Sequence, residues 1–142
     1  MKRHILSDIE SWNAKKVRKP LILMGARQVG KTWLMEEFAK RTYPSDTVAV
    51  NFMEDDPLRE SFERANLEPS VLIGLLQARS GKRIIPGKTL LILDEIQESP
   101  RALTSLKFFN EKMPELAVMA AGSLLGLSLY RERGKRSPER RG

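Results

Sequence analysis

Four short apolar runs punctuate the chain, and stretches of mixed apolar and polar residues fill the gaps between them. Leu21-Ile22-Leu23-Met24 follows Pro20 and has the unbroken apolar character of a strand covered on both faces. Residues 47–52 are rich in β-branched side chains and predict a second strand. Residues 89–93 predict a third, and residues 116–121 a fourth that ends at Gly122-Ser123. Between the runs the spacing becomes helical. Residues 4–17 predict an amphipathic helix with Ile5, Ile9 and Trp12 near one face. Residues 31–41 place Leu34, Met35 and Phe38 on one face, and Lys40 and Arg41 suit the negative end of the helix dipole. Residues 57–65 and 69–79 predict two helices, each opening with a proline in the first turn, where no amide hydrogen is needed. Ser80-Gly81-Lys82 is a break, and residues 100–112 predict a further helix. Helices that alternate with buried strands make an α/β fold with a parallel sheet. Right-handed crossovers then gather the loops after the strands along one edge, where ligands bind.

The loop after the first strand carries the clearest chemistry. Residues 25–32 read Gly25-Ala26-Arg27-Gln28-Val29-Gly30-Lys31-Thr32, a full match to G-x-x-x-x-G-K-[ST]. Gly25 and Gly30 permit a tight turn whose amide hydrogens point inward at phosphate oxygens. Lys31 reaches the β- and γ-phosphates, the Thr32 hydroxyl ligates Mg²⁺, and the following helix adds the positive end of its dipole. Arg27 and Gln28 stand inside the loop, within reach of phosphate or nucleobase unless they face water. Strand, loop and helix in this order are the context that the motif requires.

A second cluster lies at the end of the third strand, where an apolar run stops at Asp94-Glu95. An acid at that place holds Mg²⁺ through water, and Asp94 is expected to do so rather than merely to cap the next segment. Glu95 decides between reaction classes. Hydrolysis requires water to lose a proton, and a carboxylate beside the Mg²⁺ site can accept it. Ser123 lies at the tip of the fourth strand. In a parallel sheet it stands beside the phosphate loop, where a small polar residue senses the γ-phosphate, although serine in a Gly-Ser turn is also ordinary turn chemistry. Asn51, near the end of the second strand, is a candidate to hydrogen-bond Glu95 and hold it idle. Asp55 and Asp56 read as a solvated loop rather than a metal site.

Composition narrows the setting. With 142 residues, 41% hydrophobic and 30% charged, the chain fits one globular domain large enough to bury a core. No apolar run is long enough for a membrane span, no signal peptide is legible, and there is no cysteine. Disulfides, cysteine-ligated zinc and thiol catalysis are therefore excluded, and a cytoplasmic setting is the expectation. The net charge of +7 raises the question of nucleic acid. Residues 131–142 hold six basic and two acidic residues, so this tail carries +4 of it. The tail is expected to be disordered and solvated, with a nucleic-acid contact as the alternative.

Taken together, GARQVGKT at 25–32, LDEIQ at 93–97, Asn51-Phe52 before an acidic stretch, and AAGSLLG at 120–126 resemble one family. It is that of the prokaryotic AAA+-like P-loop ATPases whose ATPase core is followed by a C-terminal domain of uncharacterised, nuclease-like type. The resemblance runs from about Ile5 to Leu129. It implies a three-layer P-loop NTPase core with a parallel sheet flanked by helices, and binding and hydrolysis of ATP with Mg²⁺. The whole of Gly25, Ala26, Arg27, Gln28, Val29, Gly30, Lys31 and Thr32 would bind nucleotide, Thr32 and Asp94 the metal. Lys31 and Glu95 match catalytic positions, and Ser123 a sensor-like one. It also implies an arginine finger from a later segment, a second copy or another protein partner, and no residue of this chain is assigned to it. Family members continue past the Ser123 region with a fifth strand, a lid and the C-terminal domain, whereas this sequence turns into the basic tail at Arg131. The expectation is a truncated product or fragment whose core is incomplete at its C-terminal side. It would comprise an N-terminal helix packing on the core at 1–18, an ATPase domain at 19–130 and the tail at 131–142. Two other readings stay open at this point. One is a small-molecule kinase on the same loop, and the other a non-catalytic nucleotide- or nucleic-acid-binding remnant.

Overall fold

The computed structural model describes the backbone of residues 2–25 and 29–123 and the side chains of residues 5–25 and 33–123. Within these ranges helix α1 (Lys2–Ala14) precedes strand β1 (Leu21–Gly25), helix α2 (Val29–Thr42) and strand β2 (Thr47–Asn51). Helices α3 (Asp56–Arg64) and α4 (Pro69–Ser80) lead to strand β3 (Leu90–Asp94), and helix α5 (Pro100–Lys112) to strand β4 (Ala117–Ser123). All pairings are parallel and the strand order is β1-β4-β3-β2. The expected α/β fold with a parallel sheet is the observed one.

Alternation along the strands sorts side chains to the two faces. Val48, Val50, Leu91, Leu93, Val118 and Ala120 face a core built with Phe62, Leu72, Leu76 and Phe109 of α3, α4 and α5. Leu90, Ile92, Ala117, Met119 and Ala121 face the other core, closed by Leu6 and Ile9 of α1 and by Leu34, Met35 and Phe38 of α2. Three layers result, helices on both sides of one sheet, which explains why β3 and β4 are apolar without alternation.

Local chemistry sets the helix ends. Pro57, Pro69 and Pro100 occupy first-turn positions. Gly81 closes α4 in the left-handed region at φ 73°, its amide donating to the Gln77 carbonyl at 2.8 Å. Asp55 caps α3 by accepting from Leu58 N at 3.1 Å, and it also pairs with Arg79 at the end of α4 at 2.8 Å. The expectation of a merely solvated loop at Asp55 is thus corrected: the carboxylate ties α3 to α4, while Asp56 pairs with Arg59 on the surface.

A second difference concerns α1. Its apolar stripe runs through Leu6 and Ile9, and Ile5 is 36% exposed. The helix stops at Ala14 rather than at residue 17. Beyond it Trp12 Nε1 donates to the Lys19 carbonyl at 2.6 Å, and the Arg18 guanidinium lies 5.7 Å from the centre of the Trp12 ring. These contacts fold the chain back toward β1 instead of extending the helix.

Candidate functional site at the carboxyl ends of β1, β3 and β4

Connections leave β1 and β3 toward opposite faces of the sheet, since α2 belongs to one helical layer and α5 to the other. Strand β4 lies between β1 and β3. Connections that diverge in this way mark the place where open α/β sheets take their ligands. Three elements converge there. Gly25, the first residue of the glycine-rich loop, pairs with Ser123, the last residue of β4. Asp94 ends β3 and pairs with Asn51. Leu93 pairs with Ala120, and Ala121, Gly122 and Ser123 carry β4 further toward the loop.

Glu95 follows Asp94 at φ 51° and ψ 46°, a left-handed backbone in a residue other than glycine, and it is alone in this among the described residues. Such a conformation costs about 1–3 kcal/mol and persists where surrounding contacts impose it. The contacts are present. Glu95 N donates to Asp94 Oδ1 at 2.8 Å. Ile96, fully buried, anchors the turn Ile96–Glu98 in the core beneath α3–α5. Ser99 then caps α5, its side chain accepting from Ala102 N at 3.1 Å. The reversal turns Gln97 inward, where only 4% of it is exposed.

Gln97 links the two strand ends. Its Nε2 donates to Glu95 Oε1 at 2.7 Å, and its Oε1 accepts from Ser123 N at 3.1 Å. A carboxylate can only accept and an amide N–H only donate, so these two partners fix the orientation of the side-chain amide. Gly122 leaves room for it: a Cβ built there would stand 2.3 Å from Gln97 Oε1. Gln97 carried no role in the sequence beyond its place in the motif at 93–97. The available signals were a lone amide beside a buried isoleucine and a glycine just before Ser123. The expected bond from Asn51 to Glu95 does not form. Asn51 Oδ1 instead accepts from Met53 N at 2.8 Å and Glu54 N at 3.1 Å, closing the turn after β2.

Of the other predicted site residues, Asp94 and Ser123 stand partly buried at the strand tips, and Val29, Gly30, Lys31 and Thr32 form the first turn of α2. Ala26, Arg27 and Gln28 lie outside the described residues, as does the tail at 131–142. Asp94 and Glu95 offer hard oxygen donors beside the loop. That donor type suits Mg²⁺, which binds through one or two carboxylates together with substrate phosphates.

The amino-acid sequence matches the profile of the AAA domain over residues 17–141. The fold is similar to that of NtrX from Brucella abortus, with a TM-score of 0.53 at 12% identity over 90% of this chain and 31% of that one. A DNA replication initiation factor superposes with a TM-score of 0.48 at 12% identity, over 84% of this chain and 36% of that one. The chain thus spans about a third of the length of these solved chains. No curated protein matches it. With its family profile matched over residues 17–141, this chain belongs to the AAA domain family, of nucleotide-binding, ATPase-like domains.

Proposed function

We propose that this domain binds Mg²⁺-ATP and hydrolyses it to ADP and phosphate. The observation that carries the reading is the convergence of Gly25, Asp94, Glu95 and Ser123 at the carboxyl ends of three adjacent strands. The loop amides and Lys31 take the phosphates. Thr32 and Asp94 would hold Mg²⁺, which when bound would supply neutralisation of the phosphate charge. Glu95 accepts a proton from the attacking water. The water oxygen bonds to the γ-phosphorus as the bond to the β,γ-bridging oxygen breaks, and ADP leaves. Ser123, paired with Gly25, responds to the γ-phosphate. The arginine for the transition state comes from a second copy or a partner protein. Among the described residues no helix is long and apolar enough to cross a membrane.

Titration calorimetry with Mg²⁺-ATP tests the binding step. The wild-type chain takes up about one nucleotide, and Lys31→Ala abolishes the heat. Absence of binding by the wild type would overturn the reading. Free phosphate released without an added acceptor separates hydrolysis from a kinase reaction.

A further inference from the structure

We propose that Gln97 is a positioning residue for the hydrolytic base, a tether that fixes the Glu95 carboxylate against the tip of β4. The inference rests on the ATPase reading above and deepens it. Gln97 Nε2 holds Oε1 of Glu95 at 2.7 Å, while among the described residues nothing donates to the other oxygen, Oε2. One oxygen anchored and one left for water is the arrangement an oriented base requires. The anchor is itself anchored, because Gln97 Oε1 accepts from Ser123 N at 3.1 Å. Ser123 pairs in turn with Gly25, where the phosphate loop begins. The chain of contacts therefore runs from the loop through the β4 tip and the Gln97 amide to the base. Burial of Gln97 and the space left by Gly122 restrict the amide to this one place. Glu95 sits on a left-handed backbone and so is aimed from below by its turn and from the side by Gln97.

Three variants read the tether. Gln97→Met keeps the bulk and removes both bonds. Gln97→Glu keeps an acceptor for Ser123 N but sets a carboxylate against Glu95. Gly122→Ala leaves both partners in the sequence and pushes the amide out of place. Each is expected to lower kcat on the order of 10²-fold, the cost of misplacing a catalytic group by about 1 Å. KM and the calorimetric affinity for Mg²⁺-ATP stay within about twofold of wild type, since the tether acts on the base and not on the phosphates. Gly122→Ala combined with Gln97→Ala should turn over at the rate of Gln97→Ala alone, because the two changes remove one interaction.

A second readout needs neither nucleotide nor turnover. By NMR hydrogen exchange, the Ser123 amide exchanges roughly tenfold or more faster in Gln97→Met than in wild type, as expected on opening of a protected bond. The Gln97 side-chain amide protons lose protection in Glu95→Ala. Wild-type kcat in Gln97→Met and in Gly122→Ala, or an unchanged Ser123 exchange rate, would overturn the proposal and leave the ATPase reading standing. If Gln97→Met does not fold, Gly122→Ala decides alone. A wild-type chain that hydrolyses no ATP would overturn the ATPase reading and the positioning role together, a failure seen before any variant is made.

Discussion

Glu95 concentrates two costs in one residue: a left-handed backbone and a partly buried carboxylate bound to a buried amide. Strain of this kind is worth about 1–3 kcal/mol for a residue with a Cβ and almost nothing for glycine. Comparing Glu95→Gly with Glu95→Ala isolates it, because both lose the bond to Gln97 and only alanine keeps the Cβ. The glycine variant should be the more stable by about 1 kcal/mol in chemical denaturation, while both lose ATP turnover. Equal stabilities would mean that the backbone at residue 95 is relaxed. Asp94 and Ser123 were recognisable in the sequence as strand-end residues because each closes an apolar run. The partner of Glu95 was not. Asn51 is brought beside the acids by β2 pairing with β3, whereas Gln97 is two residues from Glu95 but finds its second partner, Ser123, only because β4 lies on the other side of β3.

Among the elements, α5 supports the site from below. It begins one residue past the turn that carries Gln97, and Ser99 is the hinge between them. The Ser99 side chain is fully buried and caps the helix at Ala102 N. Ser99→Ala should therefore cost about 1 kcal/mol of stability, read as a lower denaturant midpoint with an unchanged slope. No loss would remove Ser99 as the element's anchor. Phe109, in the same helix, is fully buried against the sheet, and Phe109→Ala is expected to cost about 3–5 kcal/mol. The strands were legible to within one or two residues because continuous apolar runs of this length have few alternatives. The stripe of α1 was less so. Ile5 and Leu6 are neighbours, and sequence spacing alone does not say which of them meets Phe38 and Met35; packing against α2 selects Leu6.

At the scale of the molecule, two helical layers hold a parallel sheet so that the ends of three strands meet at one place. The order β1-β4-β3-β2 sets Gly25, at the end of β1, beside the tip of β4, and the acids at the end of β3 on the other side of that tip. Gln97 closes the gap between the two. In the proposed reaction this convergence hydrolyses ATP with Glu95 as the base. Phosphate release at saturating Mg²⁺-ATP, measured for wild type and Glu95→Gln beside calorimetry on both, tests it most directly. Nucleotide affinity should be equal in the two proteins, and the rate at least on the order of 10²-fold lower in the variant. Equal rates of phosphate release from the two proteins would contradict it.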